Sequence, residues 1–374
     1  MKLPYSDELN TGYLARLFDN TSECYKLFWF KAIVTAVYDG KLSLSYEELI
    51  DKMIADAWYM VTEYHLNLGP KDTLQSVIEL MKSTNPELKS SEKESVIIDY
   101  LANVDDKDIN KKKQTLTYNV PYRLQAPFLH DIKGKQSWGV PVAELASKIN
   151  QEEKLIYYFE AINGLKSRIN INEEWAKYIR DNYEIILGWI EYHMIHYLQK
   201  RNPSVPGIAD KLYPPKDRKL EKVKKYWKLI LSIESIHEIY NDQELAEKDL
   251  SIDHFVPWSY VAHDEFWNLS PTTKSINSAK SNYLPDWETY FPKLAHIEYR
   301  SYQLMWKYDS VHKEFDKCAK DHINNDEIYN RIYREGLSSD DFAKRLESVI
   351  LPVYKAAREC GFDWDWKYKA IDLV

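Results

Sequence analysis

Leu250-Ser251-Ile252-Asp253-His254-Phe255-Val256-Pro257-Trp258-Ser259 opens the most informative stretch of this chain. It runs on through Trp267-Asn268-Leu269-Ser270-Pro271 to Ser275-Ile276-Asn277-Ser278-Ala279-Lys280-Ser281. The first piece reads as a short strand with Asp253 and His254 at its end, and the second as another short strand. The third begins a helix at about Ser275, which sets Asn277 and Lys280 one turn apart on the same face. A hairpin packed on that helix brings Asp253, His254 and Asn277 together. Those residue types suit phosphodiester hydrolysis, which needs a deprotonated water, a stabilised leaving oxygen and neutralised phosphate charge. His254 suits the first task because imidazole titrates near neutrality. Asp253 and the Asn277 side-chain oxygen are hard ligands of the kind Mg²⁺ or Mn²⁺ takes. Lys280 and Lys274 are candidates for phosphate contact, and Asn268 for bonding the backbone of the loop that carries His254.

Alone, an Asp-His pair carries little, and Asn-x-x-Lys at a helix start is often a cap and a solvated lysine. The joint pattern is far more specific: D-H-x-x-P, then W-N-L, then S-x-N-x-x-K-S, with 14 residues from His254 to Asn268 and nine more to Asn277. This segment, over about 240–286, resembles the HNH endonucleases of the ββα-metal (His-Me finger) superfamily. The resemblance implies a metal-dependent hydrolase cutting DNA. His254 would be the catalytic base, Asn268 the middle asparagine, and Asp253 and Asn277 the metal ligands. Many such proteins also hold a structural zinc through two C-x-x-C pairs. The corresponding positions here are Glu238 and Asn241, then Thr273 and Ile276. All four thiols are missing together, so the expectation is a zinc-free variant that keeps its catalytic Mg²⁺ or Mn²⁺.

Around this module the chain reads as mainly α. Its 374 residues suggest two domains or three, and ten glycines are few for a loop-rich or β-rich fold. Helical apolar spacing marks Ser22 to Tyr38, Tyr46 to Tyr64, Pro70 to Lys82, a long helix from the Asn172 cap to about Lys200, and further runs at 294–335 and 339–360. Residues 103–115, with Lys111-Lys112-Lys113 among aspartates, read as a solvated loop. Three X-Pro steps make 116–145 extended and turned, and 168–171 a short strand. The break at Asn202-Pro203-Ser204-Val205-Pro206-Gly207 places a helical recognition or partner-binding region at 1–205 and the nuclease domain with flanking helices at 206–374. Three scattered cysteines without C-x-x-C spacing, no apolar leader and no run of 18 apolar residues together predict a cytoplasmic protein with no membrane partner.

The net charge of −8 speaks mildly against a nucleic-acid binder, but phosphate binding needs only a local basic surface. Lys211 to Lys228 supplies one, with eight basic residues against Asp217 and Glu221. Lys219, Lys222 and Lys225 recur on one face of the expected helix from about Lys216 to Ile233 and are its candidate phosphate contacts. The alternative is a solvated face on an amphipathic helix, and both can hold at once. Two functional readings stand. One is a DNA endonuclease of the kind found in bacterial restriction and phage defence. The other is a nuclease subunit that acts only within a larger complex docked through the N-terminal helices.

Overall fold

Short polar side chains start several of the helices by taking up first-turn N–H groups. Ser45 and Glu48 form a reciprocal capping box at the head of the Tyr46–Thr62 helix. Asp72 caps Thr73–Thr84, and Asn172 caps Glu173–Asp181. The computed structural model describes residues 2–132, 134–214, 220–322 and 327–369. Helices dominate, with two small antiparallel sheets among the described residues, so the fold is mainly α as the sequence implies.

The chain divides into two units. The first is Met1–Pro203 with Leu212–Pro214, and the second is Ser204–Lys211 with Pro215–Val374. In the first, β1 (Ser43–Ser45), β2 (Tyr157–Ala161) and β3 (Arg168–Ile171) form a sheet in the order β1-β3-β2. Helices Tyr25–Tyr38 and Tyr46–Thr62 pack against each other, and Trp29, Trp58, Trp175 and Trp189 are fully buried in this unit. In the second, β4 (Leu250–His254) and β5 (Leu269–Thr273) form a two-stranded sheet. Around it lie helices Glu221–Ile233, Trp287–Lys307, Asp309–Ala319 and Ser339–Glu359. One apolar cluster joins them through Trp227, Leu269, Leu294, Phe315 and Leu346. No helix among the described residues is long and apolar enough to cross a membrane.

Three local expectations are corrected. Residues 103–115 are not a solvated loop, because Lys107–Leu116 is a helix capped by Asp106. Its buried stripe is Ile109, Lys113 and Leu116, and the Lys113 ammonium lies 2.7 Å from the buried Asp51 carboxylate. An ion pair therefore occupies a core position that apolar counting misses. Residues 116–145 are largely short helices, including Val120–Arg123 and Val142–Ile149. Pro121 and Pro127 lie in first turns, where no N–H is required of them, so proline starts these turns and does not break them. The long helix expected after Asn172 is two, Glu173–Asp181 and Tyr183–Arg201, separated at Asn182.

The second unit also buries a carboxyl with an unusual titration. Glu298, in the Trp287–Lys307 helix, is fully enclosed and accepts a hydrogen bond from the Tyr333 hydroxyl at 3.0 Å. Burial pushes its pKa from 4.5 up to about 8. Between those values the folded protein holds a proton that the unfolded chain has released, so stability falls as pH rises through the window. Denaturant melts at about pH 5 and about pH 8 should show this loss, and Glu298→Gln should flatten it. An unchanged pH dependence in the variant would contradict the assignment.

Candidate nuclease site

The β4–β5 hairpin sets the frame. Ile252 lies opposite Pro271, Asp253 opposite Ser270 and His254 opposite Leu269. Pro271 costs little here, since a two-stranded sheet has only edges. The Lys274–Lys280 helix follows β5 directly, and the Thr273 hydroxyl accepts the Ile276 N–H at its start. Ile276 is buried against the unit's core.

Asp253 and His254 are adjacent on β4, and their side chains meet different partners, as strand alternation requires. The Asp253 carboxylate is 2% exposed. Its Oδ2 accepts the Tyr240 hydroxyl at 2.6 Å, and its Oδ1 lies 3.2 Å from the Lys280 ammonium. Burial beside this carboxylate pushes the Tyr240 phenol well up, so it stays a donor. The Lys280 ammonium also donates to the His254 carbonyl at 2.7 Å. Burial pulls the Lys280 pKa down while Asp253 pulls it back up. His254 is 6% exposed, and its Nε2 lies 2.7 Å from Asp264 Oδ1.

Asn268, fully buried, grips the turn after His254 from both sides. Its Oδ1 accepts the Val256 N–H at 2.7 Å, and its Nδ2 donates to the Val256 carbonyl at 2.8 Å. Its own carbonyl takes the Phe255 N–H at 2.8 Å. Asn277 donates through Nδ2 to the Ser251 hydroxyl and the Ile252 carbonyl, at 3.1 and 2.9 Å.

The positions where related proteins would carry a zinc are joined differently. Glu238 is 1% exposed, and its Oε2 accepts the Tyr240 and Asn241 N–H groups at 2.8 Å each. Its Oε1 accepts the Thr272 hydroxyl at 2.8 Å. One carboxylate thus closes the turn before β4 and ties it to β5. Its desolvation raises its pKa, which the two N–H bonds and the Thr272 hydroxyl oppose.

The expected phosphate lysines separate. Lys274 is exposed at the head of its helix. Lys280 is fully buried on Asp253, so the structure does not place it where a phosphate would reach it. The basic helix spans Glu221–Ile233, and Lys219 lies outside the described residues. Lys222 pairs with Asp321 at 2.6 Å, and Lys224 and Lys228 face Glu221 and Glu247. Lys225 is exposed, with no ion pair among the described residues. The sequence reading missed Tyr240, Asp264 and Glu238 as partners. Only Glu238 carried a signal, as the position of an expected thiol.

Among the described residues no three His, Cys, Asp or Glu side chains cluster in a metal-holding group. Asp253 and Asn277 carry oxygens of the hard type that Mg²⁺ or Mn²⁺ takes, and here Asp253 has both of its oxygens on Tyr240 and Lys280.

A two-stranded hairpin followed by a short helix, with Asp-His at the strand end and asparagine on the helix, defines the ββα-metal class of nuclease site. Residues 237–286 match the HNH endonuclease family, so this module is an HNH endonuclease domain and the activity class is nuclease. No curated protein matches the chain, and no solved structure does.

The two readings of Lys280 predict opposite mutants. Removing one partner of a buried pair costs roughly 3–5 kcal/mol, whereas an exposed lysine is worth little. Lys280→Ala should therefore lower the chemical-denaturation stability of the protein by about that amount. A loss under about 0.5 kcal/mol would return Lys280 to the surface role.

Proposed function

We propose that this chain is a metal-dependent endonuclease hydrolysing DNA phosphodiester bonds, with His254 as general base. The observation that carries this reading is the way His254 is held. Asn268 fixes the turn after it from two sides, Asp264 fixes its ring, and Asp253 is its neighbour on the strand. A base prepared in this way takes a proton from water without first paying to order itself. Asp253 and Asn277 would hold the ion, with Lys280 giving up Asp253 in its favour. When bound, Mg²⁺ or Mn²⁺ would neutralise phosphate charge and stabilise the leaving 3′ oxygen. Lys274 and Lys225 are the exposed lysines suited to the DNA backbone, and Lys222 would reach it by releasing Asp321.

A role in bacterial antiviral defence or restriction suits a nuclease module joined to a separate helical unit. That unit also exposes Tyr38, 54% accessible and stacked on Tyr183, together with Ile185 and Tyr192 at 46% and 45%. Those side chains favour a second form of the same reading, in which the nuclease works from within a larger complex docked through the first unit.

Plasmid cleavage with Mg²⁺ or Mn²⁺, with and without chelator, tests the activity. His254→Ala should lose roughly 10²–10⁴-fold in rate with an unchanged circular dichroism spectrum. Asn277→Ala should raise the Mg²⁺ concentration needed for half-maximal rate. Wild-type turnover by a folded His254→Ala protein would remove the base assignment. With Glu238 tying the turn to β5, elemental analysis should find no stoichiometric zinc. One tightly held zinc per chain would contradict that.

A further inference from the structure

The loop between the two strands carries a charge that the HNH pattern does not explain. Ala262 ends the Trp258–Val261 turn in a left-handed conformation, φ 60°, which redirects the chain toward β5. Two residues later Asp264 places Oδ1 2.7 Å from His254 Nε2, with its side chain 32% exposed. A part-exposed aspartate on a loop normally faces water. This one is held on the base because the loop itself is anchored from behind.

The anchor is polar and apolar together. Glu265 is buried, and its Oε2 is hydrogen-bonded to His322 Nδ1. The Phe266 N–H donates to His322 Nε2 at 2.7 Å, so this ring nitrogen is the acceptor and Nδ1 carries the proton. The Phe266 ring packs edge-on to Tyr226, Phe315 and Tyr333. His322 comes from the segment just after the Asp309–Ala319 helix, so helices outside the HNH module fix the position of Asp264.

We propose that Asp264 is a positioning residue for the reaction. Its carboxylate accepts the Nε2–H of His254, fixes the ring's tautomer and orientation, and stabilises the imidazolium formed when His254 takes a proton from water. With Nε2 donating to Asp264, the proton from water is received at Nδ1. Carboxylate–imidazole pairs of this geometry act in the same way elsewhere, and an amide in place of the carboxylate selects the wrong tautomer. This inference rests on the reading of His254 as the base.

The test compares Asp264→Asn with Asp264→Ala in the full chain. Asparagine keeps the size and polarity of the loop but presents an N–H to Nε2. Both variants should lower kcat by at least roughly 10-fold with KM for DNA little changed, and asparagine, which selects the wrong tautomer, by up to roughly 10⁴-fold. Asparagine should be at least as damaging as alanine. Nitrogen-15 spectra of the His254 ring at neutral pH should show the Nε2–H tautomer in the wild type and its loss in Asp264→Asn. Two results would overturn the proposal: wild-type kcat in both variants, or alanine more damaging than asparagine with unchanged His254 ring resonances, which would mark a purely structural loop residue. The ring spectra do not need turnover. If the wild-type chain cleaves no DNA, the nuclease reading fails while the spectra still decide whether Asp264 sets the state of His254.

Discussion

A carboxylate taken out of water must be paired, and Asp253 is the group on which the nuclease module is organised. It is enclosed between a cation from the Lys274–Lys280 helix and a phenol from the segment before β4. The same ammonium bonds the His254 carbonyl, so one lysine joins helix to strand at both candidate reactive residues. An isolated charge there would cost many kcal/mol, and a pair with full hydrogen bonding recovers most of that. The same pairing fixes the relation of helix to strand, because Lys280 and Tyr240 between them occupy both carboxylate oxygens of Asp253.

The module around Asp253 is too small to be set by apolar packing alone. Side-chain to backbone bonds fix its geometry. Glu238 closes the turn before β4 and reaches β5 through Thr272, and Asn268 clamps Val256. Each of these side chains is buried with its bonds made, which is the condition for a polar interior to hold one arrangement. Glu238 links the same two pieces of chain that a pair of thiolate pairs would join through zinc. It needs two N–H groups and one hydroxyl where a zinc needs four ligands.

The sequence reveals this site better than it reveals the rest of the chain. His254, Asn268 and Asn277 are separated by fixed intervals because a hairpin and a helix of set length lie between them, and spacing survives in a linear string. The mainly helical fold is legible for a similar reason, since apolar periodicity marks Tyr46–Thr62 and Ser339–Glu359 directly. Partnerships between distant residues leave no such trace. Lys113 looks like part of a solvated charge run until Asp51 is seen beside it. Lys280 looks like a phosphate contact until its own module encloses it, and Lys222 until Asp321 meets it. Periodicity reports which face is buried, but not whether a charge on that face has found its opposite.

The HNH match ends at residue 286, yet the physical unit that holds His254 does not. Phe266 lies within the matched segment, and its ring is packed by Tyr226 before that segment and by Phe315 and Tyr333 after it. His322 closes the same loop through Glu265 and the Phe266 N–H. A hairpin and a seven-residue helix bury too little area to hold a strained inter-strand loop by themselves. The flanking helices supply that area through the rings packed on Phe266. His322 thus ties the loop that carries Asp264 to the chain just after the Asp309–Ala319 helix. In this unit His254 is held partly from outside the matched segment, through Asp264, Glu265 and His322.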